Sequence, residues 1–142
     1  MNATSENASS EGTIAIETEG DIVVARRTVR ELAARTGFGV TDVTRIVTAA
    51  SEMARNIFQY AGKGVMHWRR VDTDGRQGLE LRFEDLGPGI PDIDRAMQEG
   101  YSTGQGLGMG LPGAKRLMDE MEIRSSPGNG TTITLKKWCR LG

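Results

Sequence analysis

Between positions 100 and 113 the chain reads GYSTGQGLGMGLPG, with glycines at 100, 104, 106, 108, 110 and 113. Such a stretch does not settle into an ordinary helix or strand, because glycine loses more backbone entropy on ordering than any other residue. It does leave backbone N–H groups open to close approach by a phosphate chain. The run that follows, residues 111–121, is helix-forming and carries proline only at Pro112, a first-turn position that tolerates it. Its N-terminus offers a positive dipole end. The stretch therefore reads as a phosphate-binding loop feeding a helix, with a plain surface loop as the alternative. No strand precedes it and no Gly-Lys-Ser/Thr ending follows, which excludes Walker-type and dinucleotide-binding loops.

A chain of 142 residues is the size of one domain and buries roughly two-thirds of its unfolded surface. With a net charge of −1, no diffuse attraction to nucleic acid or anionic lipid is expected, so anion binding has to come from local geometry. No apolar run approaches the ~18 residues a membrane span needs, and no secretory signal is visible. The single Cys139 excludes an internal disulfide, and the single His67 excludes ordinary His/Cys zinc sites. A cytoplasmic location is the expectation.

Residues 1–11 are small and polar and read as a disordered leader, with one domain over 12–142. Alternation predicts a strand over 13–18. Asp21 is placed to cap a helix over 22–36 that ends at Gly37, and Thr41 to cap a second helix running to about Tyr60. Strands over 65–71 and 79–83 form a hairpin with its turn at Asp74-Gly75. A short helix over about 91–98 and the glycine stretch follow. The helix over 111–121 comes next, then strands over 122–126 and 131–138 across Pro127-Gly128-Asn129-Gly130. This order predicts an α/β fold, one sheet with its helices stacked on one face.

Three further features carry chemistry. Glu52 and Asn56 lie on one helix face about 6 Å apart, a face that the apolar stripe through Ala50, Ala54 and Ile57 turns away from the main core. That pair is either a solvated helix surface or a carboxylate base beside an oxygen ligand for Mg²⁺. Asp85 ends a strand just before Gly87 and Gly89, where it could accept a hydrogen bond from the amino group of a base, or simply make a turn. Thr131 follows the last hairpin turn and could assist that contact. His67, in a strand beside Trp68, reads as structural. Met118 and Met121, at helical spacing, read as packing, and Arg55 and Lys115 as surface ion-pair partners or extra phosphate contacts.

In order and spacing, the Glu-x-x-x-Asn helix, Asp-x-Gly-x-Gly, Gly-x-Gly-x-Gly opening a helix, and Gly-Thr-Thr resemble the nucleotide site of the GHKL superfamily. The resemblance covers about residues 12–138. The wording SEMARNIFQYAGKG, EDLGPGIPDIDRAMQEGYSTGQGLGMGLPGAKRLMDEMEI and GNGTTITLKKW is similar to the RsbT-type switch kinases within its anti-sigma and serine-kinase branch. It implies a Bergerat ATP-binding fold, a two-layer sandwich with a mixed sheet. Asp85, with Gly87 and Gly89 and assisted by Thr131, would read adenine. Asn56 would hold Mg²⁺, and Gly104, Gly106, Leu107, Gly108, Met109 and Gly110 would wrap the phosphates of ATP as a lid that orders on nucleotide. Glu52 would take the proton of an attacking serine or threonine hydroxyl. Further implied are STAS-domain proteins as substrates, a PP2C-type phosphatase as second partner, and a role in stress signalling. Partners in nucleic acid or membrane are not expected, and a homodimer is one option. An anti-sigma factor that sequesters a sigma subunit and an ATP-gated binding module are the competing readings.

Overall fold

The computed structural model describes residues 10–89, 97 and 110–140. Strand β1 (Glu11–Ile16) leads into helices α1 (Glu19–Thr36) and α2 (Val40–Asn56), and a π-helical turn (Ile57–Ala61) extends α2. The hairpin β2 (Gly64–Thr73) and β3 (Arg76–Asp85) follows, then α3 (Gly110–Leu117), β4 (Glu120–Ser125) and β5 (Thr131–Trp138). β1 thus starts at Glu11, inside the segment expected to be a leader. The short helix expected over 91–98 lies outside the described residues, Met97 excepted.

The strands lie in the order β1-β2-β3-β5-β4, and every neighbouring pair is antiparallel. The mixed sheet implied by the resemblance is corrected here. β2–β3 and β4–β5 are direct hairpins, α1 and α2 return the chain from β1 antiparallel into β2, and β3 has β5 rather than β4 as its antiparallel neighbour. The β2–β3 register pairs Thr73 with Arg76, so Asp74-Gly75 forms the turn where the sequence places it.

Each helix boundary follows from where backbone donors and acceptors find partners. Thr18, not Asp21, caps α1: its hydroxyl accepts from Asp21 N–H at 3.2 Å while Asp21 Oδ2 accepts from Thr18 N–H at 3.0 Å. That reciprocal box satisfies donors that a lone Asp cap would leave open. α2 starts at Val40 behind an extended Gly39 with no side-chain cap, so Thr41 lies inside its first turn. α3 stops at Leu117, short of the expected Met121. The buried Lys137 Nζ donates to Leu117 O at 3.0 Å, and Asp119 N–H donates to Lys136 O at 2.9 Å, drawing the chain into β4. Met121 therefore sits in a strand, partly buried, while Met118 is buried.

The core lies between the helices and one sheet face. Met66, Leu81, Phe83 and Leu135 pack there with Val29, Leu32, Ile46 and Met53, all nearly or wholly inaccessible. Burying side chains of this size contributes about 2 kcal/mol each. The opposite face carries charge pairs, with Glu80 between Arg69 and Lys136 across strands, and Glu84 between His67 across the hairpin and Arg82 along β3. Exposed pairs of this kind add little stability but keep that face compatible with water. The result is the expected two-layer sandwich.

Candidate active site

Glu52 and Asn56 occupy the last turns of α2. The sequence places their face away from the core, and the structure corrects this for Glu52, which is only 9% exposed. Ala49 and Met53 are buried beside it, so the buried arc of α2 is wider than the stripe through Ala50 and Ala54, and α3 packs along the same helix. Arg55 Nη1 donates to Glu52 Oε2 at 3.0 Å, holding the carboxylate from one side. Asn56 is half-buried and makes no capping bond at the head of the π-helical turn. Such turns are rare and gather at functional sites. Here the turn replaces the continuous helix expected to Tyr60.

Asp85 is the last residue of β3. It belongs to a transverse row that crosses all five strands: Ile16 pairs with Gly64, Gly64 with Asp85, Asp85 with Thr131, and Thr131 with Ser125. Asp85 Oδ1 accepts from Gly87 N–H at 2.8 Å, which bends the chain into the loop that follows. Pro88 O accepts from Gly128 N–H at 2.9 Å, fastening that loop to the last hairpin turn. A Cβ at Gly89 would run into the carbonyl oxygen of Ser126, and one at Gly130 into that of Asp85. Both glycines also have positive φ, so both are required by the close approach and by the backbone.

The row and α2 meet through the π-helical turn. A Cβ at Gly87 would lie 2.7 Å from Ala61 Cβ, and one at Gly64 would lie 2.8 Å from Ile57 Cγ2. Asp85, Gly87, Gly89 and Thr131 are thus assembled at one end of the sheet, against the turn that continues from Asn56. Gly110 heads α3 beside α2. Gly104, Gly106, Leu107, Gly108 and Met109 lie outside the described residues.

Sequence reading missed two contributors. Ser125 Oγ lies 2.8 Å from Thr131 Oγ1 and 3.0 Å from Gly130 O, tying the hydroxyl of Thr131 into the strand beyond it. The signal available was a hydroxyl residue just ahead of the last turn. Ala61 is the other, a small residue whose size admits the close approach of Gly87. Elsewhere His67 Nε2 lies 2.8 Å from Glu84 Oε1 on the outer face, and Lys115 is exposed. Burial first, and the nearby Asp42 second, push the Cys139 thiol above its usual range.

The arrangement tests well against a nucleotide. Oδ1 of Asp85 is occupied by Gly87, which leaves its second carboxylate oxygen as an acceptor beside backbone that carries no side chains. Among the described residues no three His, Cys, Asp or Glu side chains gather as a metal cage. A divalent cation at Asn56 would then take most of its oxygen ligands from phosphates and water, the usual habit of Mg²⁺.

The model of the histidine kinase-like ATPase domain matches residues 16–137, and the chain belongs to that family. The serine/threonine-protein kinase RsbT of Bacillus subtilis is 53% identical over 127 residues, spanning 89% of this chain and 96% of the relative. An anti-sigma F factor of Caldanaerobacter subterraneus is 33% identical over 120 residues, 80% of this chain and 82% of the relative. Among solved structures, the RsbU and RsbW domains of a Mycobacterium tuberculosis protein superpose with a TM-score of 0.59 at 22% identity, over 92% of this chain and 34% of that one. This chain thus spans about a third of that solved chain. The SiaB-SiaC complex of Pseudomonas aeruginosa gives a TM-score of 0.56 at 13% identity, over 96% and 95%. These two likenesses carry the fold alone. The sequence relatives carry the class: an ATP-dependent serine/threonine protein kinase of the partner-switching group. No helix among the described residues is long and apolar enough to cross a membrane.

Proposed function

We propose that this kinase phosphorylates a serine or threonine of a small STAS-domain protein and then binds and activates a PP2C-type phosphatase, within a stress-response pathway of the cytoplasm. The observation that carries the site is the close approach of Gly87 to Ala61. It sets the Asp85 loop against the turn that continues the helix bearing Glu52 and Asn56, which supports reading the base-binding and phosphate-binding groups as one site.

In this reading the adenine amino group donates to Asp85, with Thr131 alongside and Gly87 and Gly89 admitting the ring edge. Gly104, Gly106, Leu107, Gly108, Met109 and Gly110 surround the phosphates ahead of α3, whose N-terminus favours negative charge. Glu52 accepts the proton of the attacking hydroxyl as the oxygen–phosphorus bond forms and ADP departs. Arg55 holds the carboxylate ready. Asn56 would hold Mg²⁺, whose part is to neutralise phosphate charge. Most of the acceleration in phosphoryl transfer comes from positioning and charge neutralisation, so a single base and a shaped cleft suffice.

The test is incubation with γ-labelled ATP, Mg²⁺ and STAS proteins encoded nearby, followed by mass spectrometry for phosphoserine or phosphothreonine. Label transfer to a STAS protein supports the reading. Recovery of a sigma factor in pull-downs, with no transfer to any STAS protein, would replace it with sigma sequestration.

A further inference from the structure

Hydrogen-bond geometry at the end of the transverse row fixes the direction of one proton. Ser125 Oγ lies 3.0 Å from Gly130 O and 2.8 Å from Thr131 Oγ1. A carbonyl only accepts, and a serine hydroxyl has one proton to give. Ser125 therefore donates to Gly130, and Thr131 must donate to Ser125. Thr131 Oγ1 is left with lone pairs toward anything else that approaches it. Its register partner Asp85 is also an acceptor there, and no hydrogen bond joins the two side chains among the described residues. The carbonyl that starts this relay belongs to Gly130, which has a positive φ and lies so close to the Asp85 backbone that a Cβ would collide with it.

We propose that Ser125 is a specificity-determining positioning residue. By taking the proton of Thr131 it keeps the Asp85–Thr131 end of the cleft acceptor-only. A base with an exocyclic amino group at that point is matched. A base with a carbonyl there meets two acceptors, and all three oxygens lose water without gaining a donor. The site therefore admits a 6-aminopurine nucleotide and refuses a 6-oxopurine one. This inference rests on the Asp85 end being the base pocket and extends it to a residue in the neighbouring strand.

ATP and inosine triphosphate share ribose and triphosphate, so the ratio of their affinities isolates the base. The full chain is titrated with each against a fluorescent nucleotide. The wild type is expected to favour ATP by on the order of 100-fold, the scale of unmatched buried polar groups. Ser125→Ala frees the Thr131 proton to turn toward a carbonyl, and the ratio falls about tenfold. Ser125→Thr keeps the relay and the wild-type ratio. Thr131→Val, read in the same way, also lowers the ratio. A merely structural role would weaken both nucleotides together and leave the ratio unmoved. The proposal is overturned by an unchanged ratio in Ser125→Ala or Thr131→Val, or by an equal fall in Ser125→Thr. A wild type that binds both nucleotides alike, with Asp85→Asn making no difference, overturns the base-pocket reading as well and is thereby told apart.

Discussion

Asp85 and Thr131 are register partners at the end of the β3–β5 pair, and the backbone on either side of them is held by contacts that no side chain could share. The Asp85 carbonyl abuts Gly130, and the loop after Asp85 is bonded to the last hairpin turn through Pro88 and Gly128. A carboxylate and a hydroxyl are thereby fixed side by side without bonding each other. Replacing one acceptor oxygen by an amide should be felt directly. Asp85→Asn is expected to weaken ATP binding by about 10- to 100-fold, the scale of one mismatched buried hydrogen bond. Calorimetric titration checks it, with the thermal midpoint as control for folding.

Gly130→Ala should act on the same site through the backbone. An added Cβ would meet the Asp85 carbonyl, and the residue would keep a positive φ that alanine disfavours. The strands at this end must part, so ATP affinity is expected to fall more than stability does. Nucleotide titration beside urea unfolding separates the two effects, and a variant with full affinity would contradict the row as the binding end.

Glu52 and Arg55 form a second coupled pair. Glu52→Ala is expected to leave nucleotide binding largely intact while phosphotransfer falls by about 10²- to 10⁴-fold, the usual worth of a general base. Arg55→Met should lose rate because the carboxylate is no longer held. In a Glu52→Ala background it should cost nothing more, since a residue that acts only through another has no separate effect. Single-turnover transfer of labelled phosphate measures both. An additional loss in the double variant would give Arg55 a phosphate contact of its own.

The local elements were legible because each follows from short-range rules. Gly37 ends α1 in the left-handed conformation, and Asp74-Gly75 turns the β2–β3 hairpin. The errors came where distant residues decide. Lys137 lies far along the chain from Leu117 yet terminates α3 by taking its carbonyl. Glu52 looked solvated because helical periodicity counts only its own helix, and the buried arc of α2 is widened by tertiary neighbours, α3 among the elements packed on α2. Asp85 and Thr131 could be named from motif order, but the sequence gives no register. Only pairing of the strands puts them opposite each other and brings Ser125 in behind.

Lys137 should be among the costlier surface-remote substitutions. Its ammonium is almost inaccessible, donating to Leu117 O with Asp119 at 3.6 Å and Asp42 at 3.9 Å. Lys137→Met removes the cation but leaves the Leu117 carbonyl and Asp42 without it. Breaking one partner of a buried ionic cluster costs about 3 kcal/mol or more. Urea unfolding measures the loss. A change below about 0.5 kcal/mol, the level of an ordinary surface substitution, would mean that the cluster is solvated.

The capping box of α1 predicts an acid-sensitive contribution. Asp21 has its pKa lowered, chiefly by the backbone N–H of Glu17, against the opposing effect of desolvation, with the backbone and side chain of Thr18 lowering it further. A carboxyl lowered in the folded state stabilises it above the unfolded value and loses that contribution as pH falls through the folded one. The window therefore opens near the ordinary Asp value of 3.8 and runs downward. Asp21→Asn keeps an acceptor but carries no charge, so it should melt earlier than the wild type at neutral pH. The gap should stay constant down to mild acid and close below the ordinary Asp range. Thermal midpoints of both proteins across that range check it, and a gap that persists in strong acid would assign the effect to geometry rather than charge.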